Sequence, residues 1–310
     1  MKILNFGSLN IDHVYHVDHF ARPGETISTD ELDFFCGGKG LNQSIALARA
    51  GAQVYHAGKI GKDGDSLKKM LLDNGVNIDY LACSTSLNGH ALIQVNPQGQ
   101  NCIICYGGSN KDITEEYVDQ VISNFGENDI LLIQNEVNCI EYIAKKCSSK
   151  KMKVAFNPSP INAKLLKEFP FNLVSFFFIN EIEAHELTGK DDPMEMLDNL
   201  SKIYPESTFL LTLGKSGVIY RDESHTYTHG IYNIPVVDTT AAGDTFTGYF
   251  LACYAAGEKI EDCLRKASIA SSLAVSKDGA SASIPVMEEV VNAQGKLAYI
   301  DFPGKERFEY

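Results

Sequence analysis

The residues of this sequence best suited to chemistry lie in Asp238–Phe246, which reads DTTAAGDTF. Small side chains allow the backbone N–H groups of Ala241, Ala242 and Gly243 to point outward together where a helix begins. Such a helix start binds anions, because its first N–H groups lack partners and the positive end of the helix dipole lies there. Asp244 would sit beside the anion, where an acid can take a proton from a hydroxyl that attacks a phosphoryl group. Considered alone, an aspartate here is more often an ordinary first-turn acid.

A second group of polar residues surrounds another helix start. Residues 37–43 read GGKGLNQ, and three glycines before a helix allow the backbone to approach a ligand closely. The spacing differs from a dinucleotide-binding fingerprint. The helix dipole disfavours a lysine in the first turn, so Lys39 is predicted to contact a ligand rather than to be a solvated cation. Asn10 and Asp12 follow the first predicted strand, at the edge where open α/β sheets bind ligands, and their side chains suit a hydroxyl-rich molecule.

Two other patterns are less specific. Glu136 follows the predicted strand at 130–134 and is ambiguous when considered alone. Residues 214–216, Gly-Lys-Ser, suggest a phosphate-binding loop, but that motif requires glycine where Phe209 stands, so we reject it. No feature demands the paired carboxylates of a glycosidase.

Cysteines and histidines give no clear metal or redox signature. The eight cysteines are scattered along a chain too long to need a disulfide framework. Cys102 and Cys105 form a CxxC pattern, but the segment between them is typical of a buried strand, and we predict core thiols. His13, His16 and His19 would alternate between the two faces of a strand, which favours surface or structural roles over a metal site.

The elements that must position these residues are repeated strand–helix units. Short apolar strands, the first at 2–7, alternate with helices such as 41–50 and 243–256. Repeated βα units predict a mostly parallel sheet covered by helices on both faces. Two polar, alternating segments at about 12–36 and 88–106 do not fit that pattern, and we assign them to a small projecting β lid. We therefore predict a single domain over residues 1–310 with the lid inserted in it.

Composition excludes several classes of protein. The chain has 310 residues, 44% of them hydrophobic and 22% charged, which is typical of a globular protein. A net charge of −13 disfavours nucleic-acid binding by a broad basic surface. No apolar run is long enough to span a membrane, and the N-terminus begins directly as a strand without a signal peptide. A cytoplasmic location is expected.

The ordered motifs resemble those of the ribokinase-like, or phosphofructokinase-B, sugar kinases. Both signature regions are present, at residues 37–63 and 238–251. The resemblance extends over the whole chain through GSLNID at 7–12, RPGET at 22–26 and NEIE at 180–183. It implies an α/β fold with three α/β/α layers, a mostly parallel central sheet and a small β lid.

The resemblance also implies residue roles. Asp244 would be the catalytic base for a primary hydroxyl of the sugar, and the amides of Ala241, Ala242 and Gly243 would hold the transferring phosphoryl group. The sugar would contact Asp244 together with Asn10, Asp12, Gly38, Lys39, Gly40, Asn42 and Glu136. The ATP site would contain Asn180, Thr212, Gly214, Gly217, Gly243 and Ser268. Glu183, with Asn180, would hold Mg²⁺ through water, and a monovalent cation such as K⁺ would be bound by Asp238, Thr240, Ala274, Lys277, Gly279 and Ser283.

Three positions depart from the family pattern. Leu41 stands where the family usually has alanine, and we expect it beside the sugar pocket. His90 replaces a small apolar residue in the lid, and Ser268 stands where asparagine is common. These departures bear on sugar and nucleotide specificity rather than on phosphoryl transfer.

Two classes of function are open. The first is ATP-dependent transfer of the γ-phosphoryl to a primary alcohol, with D-ribose as the expected substrate and another pentose, a ketohexose or a nucleoside as the alternative. The second is a non-catalytic sugar- or nucleotide-binding sensor, against which the intact Asp244 argues. We expect the sugar and ATP as partners, no nucleic acid or membrane, and a homodimer that pairs the exposed edges of the lid. Sugar binding is expected to close the lid.

Overall fold

The computed structural model describes residues 1–304, in which strands and helices alternate along most of the chain. The strands are β1 (Ile3–Phe6), β2 (Asn10–His16), β3 (Leu32–Gly37), β4 (Val54–Ile60), β5 (Asn77–Cys83), β6 (Gly89–Val95), β7 (Asn101–Tyr106), β8 (Ile130–Gln134), β9 (Lys153–Asn157), β10 (Phe176–Asn180), β11 (Thr208–Thr212), β12 (Val218–Arg221), β13 (Thr226–His229), β14 (Ile231–Tyr232) and β15 (Tyr299–Ile300). The helices are α1 (Lys39–Arg49), α2 (Asp65–Asp73), α3 (Glu115–Ile122), α4 (Ile140–Ser149), α5 (Ala163–Glu168), α6 (Glu181–Thr188), α7 (Pro193–Ile203), α8 (Ala242–Ala255), α9 (Ile260–Val275) and α10 (Met287–Ala293). None of these helices, all within residues 1–304, combines the length and apolar character needed to span a bilayer.

A large sheet forms the centre of the described structure. Its strand order is β13-β12-β11-β10-β9-β8-β1-β4-β5, and its pairs are parallel except β11–β12 and β12–β13. Helices α1, α2, α8, α9 and α10 share one hydrophobic core with the sheet. Helices α3 to α7 share a second core with its other face. The predicted three-layer α/β/α fold is confirmed.

The sequence of the central strands accounts for the two hydrophobic cores and for the polar carboxyl edge of the sheet. β8 reads ILLIQ and is buried throughout, as expected for a parallel strand covered on both faces. Ile130 and Leu132 pack in one core, while Leu131 and Ile133 pack in the other. At their carboxyl ends, the neighbouring strands β8 to β11 carry polar residues: Gln134, Asn157, Asn180 and Thr212. These side chains mark the edge of the sheet where ligands bind in such folds.

Helices α1 and α8 lie unusually close together, and this contact positions the candidate site. All residues of α8 from Asp244 to Cys253 are buried. A Cβ at Gly248 would lie only 2.4 Å from the Cβ of Ala46 on α1. The start of α1 in turn packs on the end of β1, since a Cβ at Gly40 would lie 2.2 Å from the backbone nitrogen of Ser8. Glycine at these two positions therefore allows α1 to pack closely against both α8 and the residues that follow β1.

The predicted small β structure is present: the two polar segments form a separate four-stranded sheet. Its order is β3-β2-β6-β7, with β2 and β6 parallel and the outer pairs antiparallel. We call these four strands the small sheet. Its edge strands β3 and β7 expose large apolar side chains, namely Leu32, Phe34, Phe35, Ile103, Ile104 and Tyr106.

The cysteine prediction is wrong for this sheet. Cys102 and Cys105 lie on β7, which is exposed along its whole length because it is an edge strand outside both cores. Cys83 is also exposed, whereas Cys147, Cys253 and Cys263 are buried, as expected for core thiols, and every cysteine is free. Nε2 of His16 lies 3.0 Å from Oδ2 of Asp33, and Nε2 of His19 lies 3.0 Å from Oε1 of Glu25. Residues 1–304 contain no cluster of three or more His, Cys, Asp or Glu side chains placed to hold a metal.

Candidate active site

The start of α8 is a bend held in an uncommon backbone conformation. Ala241, its N-cap, has φ 61° and ψ 7°, a left-handed geometry that costs a non-glycine residue on the order of 1 kcal/mol or more. Its carbonyl accepts a hydrogen bond from the N–H of Thr245 at 2.8 Å. The N–H of Ala242 donates to Thr239 at 3.3 Å, so this group is partly engaged within the bend. The N–H groups of Gly243 and Asp244 belong to the first helical turn, where no preceding helical carbonyl can accept them.

Asp244 is buried and held by two side-chain amides of α1. Its Oδ2 accepts a hydrogen bond from Nδ2 of Asn42 at 3.0 Å, and its Oδ1 accepts one from Nε2 of Gln43 at 2.8 Å. Its exposed fraction is 7%. No ion pair to Asp244 occurs among the described residues. The carboxylate is therefore fixed by neutral donors rather than neutralised by a bonded cation.

Lys39 links the predicted base to the other acidic groups of the site. Asp244 raises the pKa of Lys39 above its usual value, and burial opposes that effect. Glu136 and Glu183 raise it further. The prediction that Lys39 is not merely a solvated cation agrees with this placement among three carboxylates.

These groups surround a cavity of about 210 Å³ at the carboxyl edge of the central sheet. Among the predicted residues, its wall contains Lys39, Asn180, Glu183, Thr212, Ala241, Ala242, Gly243 and Asp244. A Cβ placed on Gly243 would meet nothing within 4 Å, so the backbone of this turn is open to an incoming group. The cavity thus joins the helix start, the acid and the lysine.

Asp12 and Asn10 lie on the strand of the small sheet that follows β1. Burial and the nearby Glu136 raise the pKa of Asp12 to about 6. The Asp12 carboxylate occupies the space beside Gly37, where a Cβ would lie 2.2 Å from its Oδ2. Oδ1 of Asn10 accepts a hydrogen bond from Nδ2 of Asn110 at 2.8 Å.

Glu136 connects this group to α1. Its Oε2 accepts hydrogen bonds from the hydroxyl of Ser8 and, at 3.0 Å, from the backbone N–H of Lys39. Gly38 precedes that lysine with φ 96°, a conformation that favours glycine. Asn10, Asp12, Glu136 and the 37–40 loop are therefore neighbours in the structure.

Asn180 and Glu183 form a capping box at the start of α6. Oδ1 of Asn180 accepts from the N–H of Glu183 at 2.9 Å, and Oε2 of Glu183 accepts from the N–H of Asn180 at 3.0 Å. Burial raises the pKa of Glu183 above its usual value. Both residues also line the cavity.

The other residues predicted to bind ATP do not all line the cavity. Thr212 lines the cavity, whereas Gly214, Gly217 and Ser268 are outside its wall within the described chain. Gly217 has a structural reason to be glycine, because its φ is 105° and a Cβ would lie 2.1 Å from the carbonyl oxygen of His229. Ser268 is buried on α9.

The predicted cation loops lie against each other. Oδ2 of Asp238 accepts from the N–H of Gly279 at 3.1 Å, and its Oδ1 accepts from the N–H of Thr240 at 2.8 Å. Ser283 is buried. The ammonium of Lys277 pairs with Glu289 at 2.9 Å. Because an ammonium group has no lone pair to offer a metal ion, Lys277 could contact a cation only through its backbone carbonyl.

Two expected specificity positions do not face the site. Leu41 is fully buried in the hydrophobic core, so the expectation that it lies beside the sugar pocket is wrong. Side chains alternate along a strand, and Gly89 and Ala91 pair with Asn10 and Asp12. His90 therefore points to the opposite face, where its ring centroid is 5.6 Å from that of His13 and 5.0 Å from that of Tyr106.

Sequence reasoning missed several polar residues that surround the acid. They are Gln43, Gln134, Asn157, Asn5 and Asn110, each hydrogen-bonded within or beside the site. Asn5 lies inside the otherwise apolar strand β1, and Gln134 is the last residue of the otherwise apolar strand β8. A polar side chain buried in such a strand must be hydrogen-bonded to other polar groups. Its presence in the sequence could therefore have indicated a buried polar network here.

Fold and site together define a sugar-phosphorylating enzyme. The family model for pfkB family carbohydrate kinases matches residues 1–287, and the chain belongs to that family. Its curated relatives include the ribokinases of Haemophilus influenzae, 32% identical over 92% of this chain and 95% of the relative, and of Staphylococcus aureus, 35% identical over 93% and 98%. A Salmonella typhi deoxyribokinase is 27% identical over 93% of this chain and 97% of the relative.

Solved structures agree with this assignment. Ribokinase from Cryptococcus neoformans in complex with ADP has a TM-score of 0.80 at 32% identity and covers 94% of this chain and 99% of its own. Arabidopsis thaliana ribokinase complexed with ribose and ATP has a TM-score of 0.80 at 27% identity, covering 94% and 98%. The chain is a carbohydrate kinase.

Proposed function

We propose that this kinase transfers the γ-phosphoryl of ATP to the primary hydroxyl of D-ribose, giving D-ribose 5-phosphate and ADP. One observation carries the chemistry: the buried Asp244 carboxylate lies in the first turn of α8, beside open backbone N–H groups and in a cavity that Lys39 shares. The choice of ribose is supported by the relatives that bear the name ribokinase.

In the proposed reaction Asp244 acts as the general base. Its carboxylate takes the proton of the primary hydroxyl as that oxygen bonds to the γ-phosphorus, while the bond from phosphorus to the β–γ bridging oxygen breaks and ADP leaves. The N–H groups at the start of α8, together with Lys39, stabilise the charge on the transferring oxygens. Holding the acid between Asn42 and Gln43 fixes its direction before substrate arrives.

The sugar is proposed to bind between the small sheet and α1. Asn10, Asp12 and Glu136 supply acceptors for hydroxyl groups on one side. Oδ1 of Asn42 is buried without a hydrogen-bond partner in the described structure, so it is an acceptor left for a further hydroxyl. Closure of the small sheet over the bound sugar would exclude water from the phosphoryl group.

Two metal ions fit the residues present. The Glu183 carboxylate on the cavity wall, with Asn180, is a suitable oxygen donor for Mg²⁺ through water. The adjoining loops of Asp238–Thr240 and Gly279, together with Ala274, Lys277 and Ser283, would hold K⁺ through mainly backbone oxygens. Mg²⁺ would neutralise phosphate charge, and the monovalent ion would fix the shape of the bend below it.

The test of the substrate is a coupled ADP-release assay over ribose, deoxyribose, fructose and nucleosides. The expected result is a kcat/KM for ribose at least about tenfold above that of every other acceptor, as one well-used hydroxyl contact provides. A higher kcat/KM for deoxyribose or a nucleoside would replace ribose with that substrate. Sugar binding without any turnover across the panel would favour the sensor alternative.

The role of the base is tested by Asp244→Asn. We expect kcat to fall by at least about 10²-fold, the usual contribution of a general base, while ribose and ATP still bind. Binding is measured by calorimetry and turnover by ADP release. Turnover equal to that of the unmodified enzyme would exclude Asp244 as the base.

The monovalent cation proposal has a separate test. Replacing K⁺ by Na⁺ at constant ionic strength is expected to lower activity, because the smaller ion would not fit the same oxygen shell. Asp238→Ala, which removes the hydrogen bonds between the two loops, should abolish the difference between the salts. Equal rates in both salts for the unmodified enzyme would contradict the proposal.

A further inference from the structure

A continuous row of side-chain amides runs from the interior of the protein to the candidate base. Nδ2 of Asn5 donates to the backbone carbonyl of Gly40 at 2.8 Å. Oδ1 of Asn5 then accepts from Nε2 of Gln134 at 3.0 Å, and the same Nε2 donates to Oε1 of Gln43 at 2.6 Å. Nε2 of Gln43 donates to Oδ1 of Asp244 at 2.8 Å.

The hydrogen bonds of this row specify one orientation for each amide. A backbone carbonyl can only accept, so it fixes the amide of Asn5 with its NH₂ group toward Gly40 and its oxygen toward Gln134. Gln134 must present its NH₂ to that oxygen, and the same NH₂ donates to Gln43, which therefore turns its oxygen toward Gln134 and its own NH₂ toward Asp244. The last acceptor is the carboxylate of Asp244, which when ionised also can only accept. A flip of any amide in the row would place two acceptors face to face.

A side branch supports the same orientation of Gln43. Nδ2 of Asn157 donates to the carbonyl of Phe178 at 2.9 Å, which leaves its Oδ1 as an acceptor. That oxygen accepts from Nε2 of Gln43 at 3.3 Å. Two independent backbone carbonyls, on α1 and β10, therefore specify which end of the Gln43 amide faces Asp244.

We propose that Gln134 and Asn5 are positioning residues for phosphoryl transfer, which act on Asp244 through the amide of Gln43. The inference rests on the proposed role of Asp244 as base. Gln134 and Asn5 are 1% and 0% exposed and are not part of the cavity wall. They touch neither the cavity nor Asp244, and their effect is to keep Gln43 donating to one carboxylate oxygen.

Replacing Gln134 would remove the donor that holds Oε1 of Gln43. The amide of Gln43 would then be held only by its bonds to Asn157 at 3.3 Å and to Asp244 itself at 2.8 Å. The carboxylate would therefore be held by a less constrained donor, so its direction toward the substrate hydroxyl would be less well fixed. Substrate contacts made by Asn10, Asp12 and Lys39 would be unaffected.

The test compares Gln134→Met with Ser44→Ala. Gln134→Met keeps the volume and removes the amide. Ser44 is fully buried, next to Gln43 on α1, and accepts the second hydrogen bond of Asn5 Nδ2 at 2.8 Å, but it lies off the row that leads to Asp244. Both variants lose buried hydrogen bonds, and only the first breaks the row.

We expect Gln134→Met to lower kcat by about tenfold or more, the equivalent of one hydrogen bond, with KM for sugar and ATP within about twofold. Ser44→Ala should keep kcat within about twofold. Thermal unfolding of both proteins shows that turnover is measured on folded enzyme. Gln134→Glu, which keeps shape but presents only acceptors when ionised, should lower kcat at least as much and serves if Gln134→Met does not fold.

Three results would overturn the inference: unchanged kcat in both Gln134 variants, an equal loss of kcat in Ser44→Ala, or an effect confined to KM. Asp244→Asn is measured alongside. Full turnover in Asp244→Asn refutes the proposed function itself, whereas an inactive Asp244→Asn with a fully active Gln134→Met refutes only the positioning role.

Discussion

The environment of Asp12 makes the free energy of unfolding of the whole protein depend on pH. Its pKa of about 6 lies above the ordinary aspartate value, because burial and Glu136 disfavour the ionised form. The folded pKa thus exceeds the unfolded one. The group's contribution to stability is fully present below about pH 4 and is lost as the pH rises through about 6.

From this sign we predict that Asp12→Asn raises the free energy of unfolding at pH 8 and leaves it nearly unchanged at pH 4. The measurement is urea unfolding of both proteins at the two pH values. The matched control is Asp18→Asn, which removes an exposed carboxylate from the same segment and should show no such pH-dependent gain. Equal gains at both pH values would mean that the Asp12 carboxyl is not destabilised by its surroundings.

Residues that act through local chemistry could be predicted from sequence, and those that act through distant contacts could not. Asp244 and Lys39 stand at helix starts, where the helix dipole interacts with a charged side chain whatever the rest of the fold is. Leu41 was misplaced because the direction of its side chain depends on how α1 packs on the sheet. Gln43 went unnoticed because its partners, Gln134 and Asn157, are far away in the chain.

At the scale of elements, two glycines of α8 allow opposite predictions. Gly243→Ala adds a methyl group that meets nothing within 4 Å and faces the cavity. Gly248→Ala adds one that lies 2.4 Å from Ala46 of α1. The first change should weaken ligand binding in the cavity, and the second should weaken the packing of α8 on α1.

We expect Gly243→Ala to keep or slightly raise the unfolding temperature, since alanine favours a helix, while kcat/KM for ATP falls at least about tenfold. Gly248→Ala should cost about 1–3 kcal/mol of unfolding free energy through overpacking. Calorimetry and steady-state kinetics on both variants check the pair. Normal ATP kinetics in Gly243→Ala would show that the phosphate does not approach this turn.

Elements with strong periodicity or clear caps were predictable, whereas short or long-range ones were not. The helices predicted at 41–50 and 243–256 agree with the observed α1 and α8 to within two residues at each end. The sequence signal for α7 was present but unused, since Asp192 caps a helix that begins with Pro193. β14 and β15 are two residues each and pair across the chain, so no local pattern specifies them.

At the scale of the molecule, the exposed apolar edges of the small sheet favour the homodimer expected from the sequence. Phe34 on β3 is 61% exposed and Ile104 on β7 is 63% exposed. Large apolar side chains on unpaired edge strands promote aggregation unless a partner covers them. A two-fold axis through the small sheet would bury both edges.

We therefore predict that the doubly substituted Phe34→Lys/Ile104→Lys protein is a monomer in sedimentation equilibrium, whereas the unmodified chain is a dimer. Leu72→Lys replaces a leucine on α2 that is 53% exposed and should leave the dimer intact. Circular dichroism confirms that each variant is folded. A monomeric unmodified chain, or a dimer that survives both lysines, would exclude this interface.

The small sheet joins the rest of the chain through four short connections: residues 7–9, residue 38, residues 84–88 and residue 107. Asn10 and Asp12 belong to that sheet, while the acid, the helix start and the cavity wall beside them belong to the large layer structure. The proposed sugar contacts are thus shared between the small sheet and the layer structure, which supplies Asn42 and Glu136, whereas the proposed phosphate contacts lie in the layer structure alone. Exchange of residues on the small sheet is therefore expected to change which alcohol is accepted more than how the phosphate is held.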